Sequence, residues 1–266
     1  MGWWLAYVAL GLFAGFAAGA LGIGGGLVMV PSLTIIFAAQ AGFPAAEALH
    51  LALGTSMAVI LFTSLSSLLA HHRHGAVSWP VVVQITPGIL LGTLLGTLLA
   101  ASVPAQPLAI FFSIFVSLVA GQMVFNLTPK AARELPGRIG LVAVGIGIGA
   151  VSALVSIGGG SLTVPFLTWC NVRVHNAIGT SAAIGFPIAV GGSLGYLFNG
   201  WQHPGLPAGS IGYIYLPAFL WLVPSSMLMA PFGAKLAHSL PVATLKRLFA
   251  ALLVVLAARM LWRLLA

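Results

Sequence analysis

The chain has 266 residues, of which 60% are hydrophobic and only 5% carry a charge. Because nearly all of such a chain can lie in hydrocarbon, the composition excludes a large water-soluble domain and predicts a polytopic membrane protein in a lipid bilayer. The formal charge is +8, but the few basic residues lie near segment ends, which suits membrane orientation and argues against a nucleic-acid partner. The lone Cys170 cannot form an internal disulfide, and neither a metal site nor a cofactor is expected.

Eight apolar segments follow one another along the chain, and a spanning helix needs about 20 residues. They cover residues 3–38, 47–70, 79–101, 105–127, 138–170, 174–198, 209–234 and 241–265. The first and fifth segments are too long for a single crossing, and each contains a run of glycines. We therefore expect each of these two to form a helix, an unwound turn and a half-length helix within an all-α fold.

The two halves of the chain share motifs in the same order. The run Gly24-Gly25-Gly26 precedes Pro31 by the same five-residue step that separates Gly158-Gly159-Gly160 from Pro165. Further along, the pattern of His50 followed by Gly54-Thr55-Ser56 returns as His175 followed by Gly179-Thr180-Ser181. This duplication predicts a first transmembrane repeat at 1–127, a linker at 128–137 and a second repeat at 138–266.

Basic residues test how the repeats are oriented, because short cytoplasmic loops are enriched in Lys and Arg. If each long segment crossed once, the basic loops would fall on both sides of the membrane. If each long segment enters and returns, eight basic residues share one side: Arg73, Lys130, Arg133, Arg138, Arg173, Lys235, Lys246 and Arg247. Only Arg259 and Arg263 then lie on the other side of the membrane. This count predicts two inverted repeats of four to five transmembrane elements each, with a cytoplasmic linker and both chain ends outside.

The glycine breaks are the expected working site. A helix that begins after a break directs unpaired N–H groups and the positive end of its dipole toward the turn, where they attract anions. Pro31 and Pro165 are expected to begin the half-helices, leaving 24–30 and 158–164 partly unwound. The predicted anion contacts here are Gly24, Gly25, Gly26, Gly158, Gly159, Gly160, Ser161 and Thr163. The alternative is that the glycines serve helix packing, as we expect for Gly11, Gly15 and Gly19 and for Gly88, Gly92 and Gly96.

Other polar residues near the breaks have two interpretations. The hydroxyls of Thr55, Ser56, Thr180 and Ser181 are candidates to donate to the anion or to bond within the helices. The candidates for proton coupling are His50, His175 and Glu47, although an interfacial histidine is the simpler interpretation of the first two. Because the only acidic residues are Glu47 and Glu134, a cation pathway is disfavoured and an anion or neutral solute is favoured.

An enzyme is the competing class of function. Gly191-Gly192-Ser193-Leu194-Gly195 matches the serine-nucleophile pattern G-x-S-x-G, which would make the protein an intramembrane hydrolase. That pattern normally lies on a strand–turn–helix, whereas here it lies inside an apolar helical segment. We therefore expect small-residue packing at this position and no catalytic residue.

At its breaks the sequence resembles the sulfite exporter TauE/SafE family, also called the toluene-sulfonate uptake permeases. The residues that carry the resemblance are 19–26 with Pro31, 54–56, 156–160 with Pro165, and 179–181. The resemblance implies a multi-pass transporter of the bacterial inner membrane for a small sulfur-containing anion such as sulfite, a sulfonate, sulfoacetate or thiosulfate. We expect a secondary carrier with alternating access, with an anion channel of the same fold as the alternative and a homo-oligomer as a further option.

Overall fold

The computed structural model describes residues 2–21, 25–40, 42–125, 132–201, 203–237 and 242–265. These residues form ten helices: α1 (Trp4–Leu21), α2 (Gly26–Ala39), α3 (Ala48–Arg73), α4 (Trp79–Ser102), α5 (Ala105–Val124), α6 (Arg138–Val155), α7 (Gly160–Trp169), α8 (Val174–Gly200), α9 (Leu216–Ala237) and α10 (Val242–Leu265). All eight predicted segments are helical, and the first and fifth are each divided in two. The all-α polytopic fold is therefore confirmed.

Six of these helices, α3, α4, α5, α6, α8 and α9, are long and apolar enough to cross a membrane. Their outer faces are apolar: Leu91, Leu95 and Leu98 of α4 are each more than half exposed. The interior is mostly hydrophobic but also holds hydroxyl side chains, as at Thr55 and Thr180, which are fully buried. An apolar exterior, with the polar side chains kept inside, is the arrangement that a bilayer favours.

A small hairpin was not predicted. Strands β1 (Ser210–Ile211) and β2 (Ile214–Tyr215) pair antiparallel in the loop before α9, so this helix begins at Leu216 and not at 209. Gly209 and Gly212 have positive φ values of 87° and 56°, a conformation that glycine adopts without strain. The two glycines thus allow the tight turns at either end of β1.

The glycines of α1 and α4 serve close helix packing, and their contacts join the two halves. A Cβ atom added to Gly88, Gly92 or Gly96 of α4 would lie 2.0–2.5 Å from a carbonyl oxygen of α6. In a second contact of this kind, Gly15 of α1 packs against the backbone of Ser226 in α9. Such spacing lets helix backbones approach closely without side chains between them.

The order of the contacts shows how the helices run. Gly88, Gly92 and Gly96 meet Val142, Ile146 and Ala150, and Gly191 and Gly195 of α8 meet Thr93 and Thr97, so α4, α6 and α8 are parallel. In the other set, Gly11 meets Leu222 and Gly15 meets Ser226, and Thr63 and Ser66 of α3 bond to Ser226 and Met227, so α1, α3 and α9 are parallel. Helices α3 and α8 are antiparallel, since Met57 meets Gly192 and Ser64 meets Gly185.

The two sets therefore run in opposite directions. Helices α1 and α6, which begin the two halves, belong to different sets, and the inversion of the repeats stays a prediction. In the predicted orientation, the end of the bundle where α3 finishes and α4, α6 and α8 begin is cytoplasmic. Arg73, Arg138 and Arg173 lie at this end, in agreement with the enrichment of basic residues in cytoplasmic loops.

Candidate functional site

Each long segment is interrupted at its glycine run. Gly25 and Gly159 adopt left-handed conformations with φ of 77° and 80°, and α2 and α7 begin at the next residue. In the second break Ser156 is also left-handed, with φ of 50°. Gly24 lies outside the described residues. The predicted interruption is thus confirmed at the residues that the structure describes.

The predicted role of the prolines is wrong. Pro31 and Pro165 lie inside α2 and α7, so residues 26–30 and 160–164 are helical and not unwound. The reason is that the left-handed glycine already turns the chain. The carbonyl of Gly25 accepts from the N–H groups of Val28 and Met29, so the first helical turn is complete before the proline is reached.

The two breaks contact one another. A Cβ atom on Gly26 would lie only 1.7 Å from the carbonyl oxygen of Ser156 and 3.0 Å from the Ile60 side chain. The Ser156 hydroxyl donates to the carbonyl of Leu53, at 2.7 Å, which ties the second break to α3. The sequence contains no local signal for this contact of Ser156. A side chain at position 26 therefore cannot be accommodated unless the two breaks move apart.

The breaks also lie near the middle of the bundle. Gly26 is beside Ile60, halfway along α3, and Gly159 is beside Ile188, halfway along α8. The antiparallel pairing of α3 and α8 puts Ile60 and Ile188 at nearly the same level. Two helix N-termini, those of α2 and α7, therefore begin at the centre of the helical layer.

Hydroxyls accompany only one of these N-termini. Ser161 is 8% exposed and Thr163 is fully buried, and neither side-chain oxygen has a hydrogen-bond partner among the described residues. In α2 the matching positions are Leu27 and Met29, both fully buried. A buried hydroxyl without a partner is costly, so two of them beside a helix N-terminus make this place a candidate site for a polar ligand.

The repeated Gly-Thr pairs bind loops of the opposite half. The N–H of Tyr215 donates to Thr55 Oγ1, and the N–H of Ser78 donates to Thr180 Oγ1, each at 2.9 Å. A Cβ atom on the preceding glycine, Gly54 or Gly179, would lie 2.3 Å or 2.6 Å from a carbonyl oxygen of the same loop. The duplicated motif therefore makes the same contact twice.

These hydroxyl pairs lie on opposite sides of the breaks. Along antiparallel α3 and α8, Thr55 and Thr180 are separated by about 14 residues, or roughly 20 Å. One small anion cannot contact both at once. Ser56 and Ser181 are fully buried beside them, and Ser56 Oγ has no hydrogen-bond partner in the described part of the chain.

The two repeated histidines have different surroundings. His50 is 5% exposed, and its Nε2 lies 3.1 Å and 3.2 Å from the carbonyl oxygens of Ala100 and Val103. Its Nδ1 is 3.6 Å from Glu47 Oε2. His175 is exposed at the start of α8. Of the three predicted candidates for proton coupling, the structure thus brings together Glu47 and His50 alone.

The serine-nucleophile pattern lies inside the continuous helix α8. Cβ atoms on Gly191 and Gly195 would each lie 2.1 Å from a threonine hydroxyl of α4, at Thr93 and Thr97. The glycines beside Ser193 therefore allow close packing of α8 on α4. The strand–turn–helix context that the hydrolase pattern needs is not found at this position.

The sequence model of the family described as sulfite exporter TauE/SafE matches residues 7–260. The chain belongs to this family. A protein of Haemophilus influenzae named a probable membrane transporter protein is 37% identical over 256 residues, which is 94% of this chain and 95% of that protein. Probable membrane transporter protein YunE of Bacillus subtilis is 26% identical, with 96% of each chain covered.

A third relative, probable membrane transporter protein MJ0441 of Methanocaldococcus jannaschii, is 25% identical over 84% of this chain and 79% of its own length. No solved structure shows a significant match. The family and the described helices together identify the chain as a multi-pass membrane transporter.

Proposed function

We propose that this TauE/SafE family member is a secondary carrier that moves a small sulfur-containing anion, such as sulfite, a sulfonate, sulfoacetate or thiosulfate, across the bacterial inner membrane. The observation that carries the proposal is the pair of helix N-termini at the centre of the bundle, one with two buried hydroxyls that have no hydrogen-bond partner among the described residues. Amide N–H groups and hydroxyls are donors, and oxyanions are their natural ligands.

The charge distribution favours an anion. The two acidic residues of the chain are Glu47, before α3, and Glu134, in the linker, so neither lies within a membrane-spanning helix. A buried cation without a carboxylate would be poorly compensated, whereas an anion at a helix N-terminus is stabilised by the dipole. The family description supplies the sulfur chemistry of the proposal.

The contact between the breaks is the observation that favours alternating access. Gly26 and Ser156 belong to different halves and touch, so an anion can reach the space between them only if the halves move apart. The Thr55-Ser56 and Thr180-Ser181 pairs lie on opposite sides of this contact. In the proposed cycle each pair lines the route to the centre from one side of the membrane.

The test is counterflow in proteoliposomes that contain the purified protein. If the protein is a carrier, proteoliposomes loaded with unlabelled sulfite should take up radiolabelled sulfite transiently and saturably. Thiosulfate and sulfonates should compete with this uptake. Uptake without any dependence on internal sulfite would indicate a channel. The absence of uptake with all of these anions would refute the proposed substrate class.

Gly25→Ala and Gly159→Ala test the site itself. A non-glycine residue at these φ values costs about 1–2 kcal/mol, and the added Cβ would lie 2.8 Å from Ala14 O or 2.4 Å from the Ile188 side chain. Gly75→Ala is the matched control, because Gly75 is also left-handed, with φ of 66°, but has open space around it. We expect counterflow to be lost in the first two variants and kept in the control.

A further inference from the structure

Glu47 lies between two histidines at the end of the bundle where α3 begins. Its Oε2 is 3.6 Å from His50 Nδ1, and its Oε1 is 3.7 Å from Nε2 of His203, a residue that the sequence did not single out. The side chains become less accessible in order, from 35% for His203 to 18% for Glu47 and 6% for His50. The three groups thus form a row that leads from solvent into the protein.

The hydrogen bonds of His50 determine which of its nitrogens carries a proton. Nε2 faces the carbonyl oxygens of Ala100 and Val103, and a carbonyl can only accept, so Nε2 is the donor. In a neutral imidazole Nδ1 then has only a lone pair. That lone pair would face a buried carboxylate oxygen of Glu47, and neither atom has a hydrogen-bond partner in the regions that the structure describes.

Two buried acceptors that face each other repel, and one proton removes the conflict. With a proton on Nδ1, or on the carboxylate, the pair has a donor and an acceptor. The phenol of Tyr213, which also faces the pair, does not supply or accept this proton. Tyr213 packs on both histidines, with ring centroids 5.4 Å and 5.5 Å away. Burial, and to a lesser extent the charge of the nearby Glu47, raises the pKa of Tyr213 to about 12, so its phenol stays neutral.

The pair is connected directly to the break. Leu53, one turn beyond His50 on α3, accepts the hydrogen bond from Ser156. Gly54 contacts the carbonyl of Tyr213, whose ring covers the histidines. The pair thus lies within one helical turn of groups that contact both the loop before α9 and the second break.

We propose that Glu47 and His50 together bind one proton, exchanged with solvent through His203, and that its uptake and release is coupled to anion transport. The coupling part rests on the proposed function, whereas the binding of the proton does not. The coupling ion of the carrier is then H⁺, bound at the end of the bundle opposite the basic loops.

Transport with a controlled pH gradient tests the coupling. In proteoliposomes with the membrane potential clamped, a gradient of one pH unit should drive about tenfold accumulation of radiolabelled thiosulfate or sulfite at one proton per anion. Thiosulfate is preferred, because it is fully ionised near neutral pH and carries no proton itself. Glu47→Gln should abolish this accumulation but keep counterflow at equal pH. Glu134→Gln, the same change at an exposed linker residue, should behave as wild type.

The outcomes separate the two proposals. If wild-type protein shows counterflow but no response to the gradient, or if Glu47→Gln responds as wild type, the coupling is refuted and the carrier remains. If no anion moves, the proposed function fails, and infrared difference spectra recorded on a pH change still test the proton site. Because the chain has only two acidic side chains, the carboxyl signal in these spectra is easily assigned. A carboxyl signal that is lost in both Glu47→Gln and His50→Gln but kept in Glu134→Gln and His175→Gln would support the shared proton. A signal unchanged in Glu47→Gln would overturn it.

Discussion

Gly26→Ala isolates the contact between the two breaks. Gly26 is helical, so alanine causes no backbone strain there, and in a helix it is intrinsically better than glycine by about 1 kcal/mol. The added Cβ would lie 1.7 Å from the carbonyl oxygen of Ser156, so the two must separate by about 1.5–2 Å to reach van der Waals distance. Overpacking of this kind costs about 1–3 kcal/mol, which equals or exceeds the gain in helix propensity.

Because the two residues belong to different halves, the substitution should disturb the closed contact more than either half. We expect counterflow to fall at least tenfold, while the detergent-solubilised protein remains monodisperse with an apparent melting temperature that is lowered by a few degrees. Counterflow in proteoliposomes and thermal unfolding of the same preparation measure the two effects.

The matched control is Gly147→Ala in α6. Gly147 is also helical, but a Cβ atom there would meet nothing within 4 Å. This variant should be as stable as wild type or more stable, with normal transport. The reasoning fails if Gly26→Ala retains wild-type transport and stability, or if Gly147→Ala loses as much as Gly26→Ala.

Three further outcomes are expected. Ser161→Ala combined with Thr163→Val should lower anion flux at least tenfold with little loss of thermal stability, since neither hydroxyl has a partner among the described residues; a stable variant with normal flux would exclude them from the site. Thr55→Val leaves a loop N–H without its acceptor and should lower the free energy of unfolding by about 1–3 kcal/mol, measured as a lower melting temperature; unchanged stability would contradict the structural role. Cysteines at the exposed positions Leu135 and Ala208 should react with impermeant reagents from opposite sides of the membrane, and labelling from the same side would defeat the inverted arrangement.

The location of the breaks could be predicted because its cause is local. Consecutive glycines lower the stability of a helix at that point, and no distant contact is needed to recognise them. The start of the half-helices was predicted less well. The preference of proline for the first helical position was outweighed by the left-handed turn at Gly25 and Gly159, which begins each helix earlier.

The hydroxyls show a second limit of the sequence. Thr55 and Thr180 could have bound an anion or a neighbouring backbone, and both choices fit the same residues. The structure pairs each with a loop N–H from the opposite half, whereas Ser161 and Thr163 remain without partners among the described residues. Hydroxyls of the same chemistry thus take different roles, because the fold places different groups beside them.

The amino-acid sequence alone determined the membrane class, the helical segments and the two interruptions, because hydropathy and glycine runs act over short stretches of chain. Only the tertiary structure decided which groups meet. The contacts of Gly26 with Ser156, Ser156 with Leu53, and Glu47 with His203 join residues more than 100 positions apart. Such pairs leave no local pattern, since each depends on how ten helices pack at once.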